Sequence, residues 1–225
     1  MVLRPRTVAL LCLATISSLA AFLIAFWPRP SGVSAAVAVS QAVPQPEPFI
    51  PTYSKDGDLA PPLQYREWIY LTSGLDMSYN PKAAPKSGND MSMFDNVFVN
   101  PEAYRSFVAT GTWPDKTVMI LETRGAENKG SINKSGHFQS GGIMGVEIHI
   151  KDESRFPGKW AFFDVESETK ATLIPATAPC YSCHAEHAAV DTTFVQFYPT
   201  LLPIAQKKGT LSAGYLKEAA NEPKK

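Results

Sequence analysis

Cys180-Tyr181-Ser182-Cys183-His184, near the C-terminal end of the chain, combines two thiols three residues apart with an imidazole on the next residue. On one helical turn, two such sulfurs can add to the two vinyl groups of a haem while the adjacent histidine reaches the iron. This spacing is the attachment signature of a c-type haem. It predicts one covalent haem c, bound by Cys180 and Cys183, with His184 as the metal ligand.

A redox dithiol, a disulfide and half of a zinc site are the other chemistries open to this motif. Zinc requires a closed shell of four ligands. Beyond the motif the chain offers only His137, His149 and His187 as nitrogen donors, and it has no second cysteine pair. A thioredoxin-like dithiol belongs at the end of an early strand in a βαβ pattern. The position of the motif near the C-terminus therefore favours haem.

The N-terminal segment has the pattern of an export signal. Arg4 and Arg6 precede an uncharged stretch over residues 7–27, and small residues at 36–38 suit cleavage after Ala38. The stretch also reaches the lower limit for a membrane span. Residues 1–38 are therefore predicted to be a signal peptide or an N-terminal membrane anchor. The rest of the chain is expected in the periplasm, free or tethered to the inner membrane by residues 7–27.

The charge balance argues against a nucleic-acid partner. The chain has 21 basic and 21 acidic residues, and residues 1–38 contain three arginines and no acid, which leaves 18 basic against 21 acidic residues. No basic stripe is available to neutralise phosphates. The exported part is mildly acidic and long enough for one domain that encloses a cofactor.

Composition divides this part into three regions. Residues 39–62 are rich in Pro and Ala and are predicted to form a semi-extended linker. A haem domain is expected over residues 63–212, and residues 213–225 are expected to be a polar C-terminal tail. The haem domain is predicted to contain strands at 97–99, 117–123, 143–151 and 160–165 and helices at 101–110, 180–188 and 199–208.

Local signals mark the ends of these elements. Asn100 is a helix cap followed by Pro101, and Gly111 stands just past the end of that helix. A Gly-, Asn- and Lys-rich loop over residues 125–136 suits an antiparallel hairpin or a flap. These signals predict an α+β fold, with an antiparallel β-sheet and helices at its ends.

Several separate segments, in order, resemble the cytochrome P-460 family, over about residues 65–209. They are Tyr65-Arg66-Glu67-Trp68, Phe98-Val99-Asn100-Pro101-Glu102-Ala103-Tyr104, Gly111-Thr112-Trp113-Pro114-Asp115, Lys151-Asp152, Arg155-Phe156, Trp160-Ala161-Phe162-Phe163, and the stretch from Cys180 to Phe197-Tyr198-Pro199. The resemblance implies a β-rich, commonly dimeric fold. It also implies a five-coordinate haem whose proximal ligand is the motif histidine and whose other face is open to small molecules.

Two kinds of protein share this pattern. In the cytochromes P-460 proper, a strand lysine is bonded to the macrocycle and a distal carboxylate accepts protons while hydroxylamine is oxidised. In the related cytochromes c′-β the lysine is absent and the haem binds nitric oxide and carbon monoxide. In this chain Leu121 occupies the lysine position and Glu147 the carboxylate position. The resemblance therefore implies chemistry closer to cytochrome c′-β, with Leu121 beside the haem and Glu147 as the distal base.

Other residues have simpler interpretations. Lys116 lies an odd number of residues before Leu121, which puts the two on opposite faces of a strand. Glu147 could instead lie on a solvent face together with His149 and Lys151. His187 is expected to be exposed on the haem helix, and His137 and His149 to be structural or surface groups. Met119 and Met144 could cap the iron, but core packing is the commoner role of a strand methionine.

Three functions follow. The first is an exported mono-haem cytochrome that binds nitric oxide or related small nitrogen oxides at a five-coordinate haem. The second is a hydroxylamine or nitrogen-oxide oxidoreductase that uses Glu147 as base. The third is a six-coordinate electron carrier with Met119 or Met144 on the iron. A soluble or membrane redox partner and a homodimer are expected.

Overall fold

The computed structural model describes residues 48–79 and 91–221. These residues belong to one compact unit, Pro46–Lys225. The predicted signal or anchor at 1–38 and the first part of the predicted linker lie outside the described residues. Within the described ranges, every helix is too short or too polar to cross a membrane.

Six antiparallel strands form one sheet in the order in which they occur in the chain. The strands are β1 (Ile69–Leu75), β2 (Met93–Val99), β3 (Val118–Glu127), β4 (Phe138–Lys151), β5 (Trp160–Ser167) and β6 (Lys170–Leu173). The four strands predicted from the sequence are β2 to β5, and each extends beyond its predicted bounds. β3 and β4 form an antiparallel hairpin, as predicted, but the connecting loop covers residues 128–137, because residues 125–127 of the predicted loop belong to β3.

Four α-helices accompany the sheet in residues 48–79 and 91–221. They are α1 (Pro101–Thr110), α2 (Pro179–His187), α3 (Leu202–Lys208) and α4 (Ala213–Asn221). The bounds of α1 are those predicted, and Gly111 ends it in the left-handed region at φ 81°. The predicted α+β class, with an antiparallel sheet and helices, is confirmed.

The side chain of Asn100 differs from the prediction. It precedes α1 but makes no capping hydrogen bond to that helix. Its Oδ1 instead accepts a hydrogen bond of 2.8 Å from the backbone N–H of Val118. The amide group thus joins the start of α1 to the start of β3.

Both faces of the sheet are buried, each against a different part of the chain. One face carries Ile120, Ile148 and Phe163 and packs against aromatic residues that precede β1. The other carries Met119 and Trp160 and packs against α1, α3 and the segment that follows α2. Successive residues of a strand point to opposite faces. The alternation of β4 therefore assigns Ile148 and Ile150 to the first face, and Glu147, His149 and Lys151 to the second.

Residues 48–62 correct the predicted linker, because they pack on the sheet as part of the domain. Leu59 is fully buried and forms an antiparallel bridge with Ala171 of β6. The hydroxyl of Tyr53 donates to Asp152, and the Arg155 guanidinium lies 4.0 Å from the centre of the Tyr53 ring. The segment turns back on itself so that Tyr53 pairs with Leu59, and both side chains pack against the first face of the sheet.

The predicted polar tail also forms structure, since α4 occupies residues 213–221 and lies against α2. Ser212 begins it: its hydroxyl accepts a hydrogen bond of 3.1 Å from the N–H of Tyr215 and donates one of 2.6 Å to the carbonyl of Ala188. At Gly214 a Cβ atom would stand 2.4 Å from the carbonyl oxygen of Glu186. The absence of a side chain at Gly214 therefore allows the two helices to approach.

A buried carboxylate on β3 joins the sheet to the turn before β1. Glu122 accepts hydrogen bonds from the Tyr65 hydroxyl, the Arg66 guanidinium and Nε of Arg124, and its side chain is 3% exposed. Burial alone would raise the pKa of Glu122, but the hydrogen bonds from Arg124 and Tyr65 and the two positive charges outweigh it and lower that pKa. The residue is therefore a fully charged structural group at neutral pH.

Replacement of Glu122 by alanine is expected to lower the free energy of unfolding by about 2 to 4 kcal/mol, because it leaves a buried hydroxyl and two guanidiniums without their acceptor. Urea denaturation followed by circular dichroism measures this loss. Since the pKa of Glu122 is lowered in the folded protein, its contribution is complete above the pKa of an unfolded glutamate and is lost as the pH falls through the folded value. The deficit of Glu122→Ala should therefore shrink in acid.

Glu67→Ala is the matched control, because Glu67 is an exposed acid on the same turn as Tyr65 and Arg66. Its stability should stay close to that of the unchanged protein at every pH. An equal loss in both variants, or a deficit of Glu122→Ala that does not depend on pH, would contradict the role assigned to Glu122.

Candidate functional site

The helix α2 carries both thiols and the imidazole of the predicted attachment motif. Cys180 and Cys183 are free cysteines, and Pro179 is the first residue of the helix. Tyr181 ties the helix to the sheet: its hydroxyl accepts a hydrogen bond of 3.1 Å from the N–H of Phe162 and donates one of 3.0 Å to the carbonyl of Ile174. These two hydrogen bonds therefore fix the position of the motif relative to Phe162 of β5.

A cavity of about 310 Å³ lies between α2 and the second face of the sheet. Cys180, Cys183 and His184 all line it, as do strand residues of β1 to β5 and the aromatic residues after α2. The wall is mostly apolar. Its other lining residues are Thr72, Gly74, Met77, Tyr79, Asp95, Val97, Met119, Ile120, Leu121, Glu147, Ile148, His149, Phe162, Phe194, Phe197 and Tyr198.

The His184 imidazole is held on several sides. Its Nδ1 lies 2.7 Å from the carbonyl oxygen of Thr192. A carbonyl can only accept a hydrogen bond, so Nδ1 carries the proton and Nε2 keeps its lone pair. The Phe162 and Phe194 rings contact the imidazole at centroid distances of 4.7 Å and 4.2 Å. Burial lowers the pKa of His184, although the Thr192 carbonyl acts the other way. The ring is therefore neutral and oriented for a metal bond through Nε2.

His149 is the residue whose position the sequence least foretold. Its side chain is buried on the cavity face of β4, stacked on Phe162 at 4.0 Å and with its ring centre 5.1 Å from that of His184. Burial, and then the proximity of His184, hold its pKa well below the ordinary value. Of the two roles expected for His149, the structural role is correct and the surface role is wrong. The signal was available, since His149 shares a strand face with Glu147.

Leu121 and Glu147 face each other across the β3–β4 ladder, and both line the cavity. The half-buried Leu121 belongs to the apolar wall, whereas Glu147 lies at the more exposed side. Desolvation raises the pKa of Glu147, and the charges of Asp164 and Asp95 raise it further. Glu147 is thus a carboxylate that holds its proton more tightly than a free one.

Asp95 of β2 is a cavity residue that sequence reasoning missed. Its carboxylate accepts a hydrogen bond of 2.9 Å from the Thr123 hydroxyl. It acts on Glu147 from two strands away, with β3 between them. No sequence signal distinguished it, because the two residues come together only through the order of strands in the sheet.

The remaining candidates separate clearly. Met119 is buried in the core and also lines the cavity, whereas Met144 is 46% exposed, so the expected core packing of Met144 is wrong. Met77 lines the cavity and was not foreseen. His187 is partly exposed and pairs with Glu218, as expected for a surface histidine. The other two candidates lie away from the cavity: His137 is exposed in the β3–β4 loop, and Lys116 pairs with Asp152.

An antiparallel sheet that encloses an apolar cavity, with two free thiols and an oriented neutral imidazole on one helix, defines a sheet-based cofactor-binding domain. The family model described as Cytochrome P460 matches residues 62–195, more than half of the chain, and the chain belongs to that family. The resemblance stated from the sequence is confirmed. A comparison with curated proteins finds no match.

Membership of this family implies that the chain is a cytochrome with a haem cofactor. The described residues fit that group. The thiols of Cys180 and Cys183 and the imidazole of His184 line one cavity, and the walls are mainly apolar side chains suited to a macrocycle. The Nδ1–H of His184 is already bonded to a carbonyl, which is the arrangement that a metal-binding histidine requires.

Substitution of Glu147 by glutamine is expected to abolish a pH-dependent change in the ferric absorption spectrum while haem content stays the same. Because the pKa of Glu147 is raised, this change should have its midpoint above the ordinary glutamate value of 4.5. Asp164→Asn should move the midpoint to lower pH, since it removes a negative charge that raises that pKa. Spectrophotometric titration of the three proteins measures both effects.

Glu166→Gln is the control, because Glu166 pairs with Lys170 outside the cavity. It should titrate like the unchanged protein. A titration that survives in Glu147→Gln would show that Glu147 does not act on the haem.

Proposed function

We propose that this chain is an exported cytochrome that holds one haem c and binds nitric oxide or related small nitrogen oxides at a five-coordinate iron. The observation that carries this proposal is the mostly apolar cavity that contains Cys180, Cys183 and His184 on one side and Leu121 and Glu147 on another. Small neutral ligands suit such a wall better than ions do, because an apolar lining disfavours charge.

Cys180, Cys183 and His184 of α2 each have a specific role in this proposal. Cys180 and Cys183 would hold the haem by addition of their S–H groups across its two vinyl groups, and Nε2 of His184 would hold the iron. The haem supplies an iron site for the ligand. The chain would then exclude water with apolar side chains, orient His184 through Thr192, and raise the pKa of Glu147 by desolvation. Leu121 has no nucleophilic atom, so it cannot bond to the macrocycle as the family's lysine does.

Oxidation of hydroxylamine is the second candidate, and the raised pKa of Glu147 favours it. A carboxylate whose pKa is shifted upward at a cavity is a usable proton acceptor for a bound substrate. Asp95 and Asp164 strengthen this property by raising the pKa of Glu147. Glu147, the residue that would accept the proton, is therefore present even though Leu121 replaces the cross-linking lysine.

Electron transfer through a six-coordinate haem is the third candidate. Met119 is the one of the two methionines proposed from the sequence that lines the cavity, and Met77 joins it there. Either thioether could supply a sixth ligand. Met144 drops out of this role, since it is not among the residues that line the cavity.

The partners proposed from the sequence accompany this function. A periplasmic location, with a signal peptide or an anchor over residues 7–27, accords with haem c attachment outside the cytoplasm. A soluble or membrane redox partner would return electrons to the iron. A homodimer is also proposed. Exposed apolar side chains at the β3–β4 hairpin, among them Ile132, Phe138 and Ile143, supply a surface for a second copy.

The attachment is tested by the double variant Cys180→Ser, Cys183→Ser. The unchanged protein should have the mass of the mature polypeptide plus one haem, without a further bond, and should give an ordinary c-type pyridine spectrum. Acidified organic solvent should extract haem from the double variant and not from the unchanged protein. The single variants should each retain one thioether. Haem that resists extraction in the double variant would contradict attachment through these cysteines.

The choice between the three functions is tested by optical spectra and turnover of the purified protein. We expect high-spin spectra in the oxidised and reduced states and a shifted Soret band on addition of nitric oxide. Low-spin spectra in both states, converted to high-spin in Met119→Leu or Met77→Leu, would favour the electron carrier. Turnover of hydroxylamine with an electron acceptor, reduced more than about tenfold in Glu147→Gln, would favour the oxidoreductase, since tenfold corresponds to about 1.4 kcal/mol of barrier.

A further inference from the structure

The turn Val190–Thr193 passes beside the His184 ring and is held from three directions. Val190 and Thr193 form an antiparallel bridge, and Asp191 between them adopts a left-handed conformation at φ 52°. The indole N–H of Trp113 donates a hydrogen bond of 2.8 Å to the Thr193 hydroxyl. Since Trp113 is 2% exposed and Thr193 is 1% exposed, this support is buried and shielded from water.

Lys151 adds the third support. Its ammonium donates a hydrogen bond of 2.7 Å to the carbonyl of Trp113 and lies 3.4 Å from the carboxylate of Asp191. The Lys151 side chain is 9% exposed, whereas that of Asp191 is 33% exposed. The turn is thus tied to the C-terminal end of β4 and to the loop before β3.

Thr192 is the residue of this turn that contacts both histidines. Its carbonyl oxygen accepts the hydrogen bond from Nδ1 of His184, and its hydroxyl lies 3.2 Å from Nε2 of His149. One residue therefore joins an imidazole on the helix α2 to an imidazole on a central strand. The helix α2 has no fully buried residue of its own, so its orientation depends on such contacts.

His149 is the fixed end of this series of contacts from His149 through Thr192 to His184. It lies on β4, which is paired on both sides, to β3 and to β5. Its ring is stacked on Phe162 with an interplanar angle of 13° and also contacts Trp160. A ring held in this way has little freedom to move, so its hydrogen bond to Thr192 restrains the hydroxyl and, through it, the carbonyl of the same residue.

We propose that His149 and Thr192 are positioning residues that set the orientation of His184 and the strength of its hydrogen bond through Nδ1. The proposal rests on the proposed function, in which His184 is the iron ligand. A carbonyl aligned with Nδ1–H raises the basicity of the ring and strengthens its bond to the metal. A carbonyl that is free to rotate away weakens that hydrogen bond and the metal bond with it.

The matched pair Thr192→Val and Thr192→Ser tests this chain of contacts. Both variants keep the backbone carbonyl, and only the serine keeps a hydroxyl for His149. His149→Phe removes the hydrogen bond from the other end and keeps a flat ring for stacking on Phe162. Thr172→Val is the control, because the Thr172 hydroxyl donates a hydrogen bond to Glu166 and neither residue lines the cavity. Haem content is measured first, by pyridine haemochrome.

Two readouts follow, the midpoint reduction potential and the iron–histidine stretching frequency of the ferrous protein by resonance Raman spectroscopy. Thr192→Val and His149→Phe should both raise the potential and lower the frequency, because a less basic His184 stabilises the ferric iron less. Thr192→Ser and Thr172→Val should match the unchanged protein. The double variant His149→Phe, Thr192→Val should show the shift of one single variant and not the sum, since both remove the same contact.

Unchanged values in Thr192→Val, equal shifts in Thr192→Val and Thr192→Ser, or additive shifts in the double variant would each overturn the proposal. If His149→Phe fails to fold, the comparison of the two Thr192 variants decides alone. Failure of the proposed function is recognised separately. The unchanged protein would then lack covalent haem, or would show no iron–histidine band from His184, before any variant is compared.

Discussion

The register of the β3–β4 ladder is the constraint on which the rest of the structure depends. It pairs Val118 with Ile150 and Leu121 with Glu147. A strand shifted by one residue sends every side chain to the opposite face. Such a slip would turn the side chains of Ile148 and Ile150 to the second face and would turn those of Glu147 and His149 towards the aromatic residues that precede β1. Both cores and the cofactor cavity therefore follow from one alignment of two strands.

Glu122 and Glu147, which lie close together on this ladder, show how the face of the sheet on which a side chain lies determines its pKa. Glu122 points to the side covered by Tyr65, where hydrogen bonds and positive charges lower its pKa despite burial. Glu147 points to the cavity, where desolvation and neighbouring carboxylates raise its pKa. The first carboxylate stabilises the fold as an anion, and the second is suited to accept and hold a proton. Their environments, and not their residue type, separate a structural group from a candidate functional one.

The elements that sequence reasoning described best are those with local signals. Pro101 and Gly111 mark the two ends of α1, and the alternation over residues 143–151 marks the second half of β4. For residues 48–62 and 213–225 only the composition is informative, and it predicts a linker and a tail. Leu59 is buried beside Ala171 of β6, and α4 follows Ser212, whose hydroxyl bonds to the carbonyl of Ala188 at the end of α2. Such partners are distant in the sequence, so the composition of a segment does not predict them.

The haem motif, the α+β class and the family can all be predicted from the sequence, because each depends on the spacing of residues within a short segment or on several segments in order. The tertiary structure decided which side chains meet the motif. Three features depend on residues that are distant in the sequence: the contact of the Thr192 carbonyl with His184, the burial of His149, and the approach of Asp95 to Glu147 across β3. The order of the strands and the folding back of the chain bring these residues together. The physical reason is that hydrogen bonding and desolvation act over a few ångströms in space, whatever the separation along the chain.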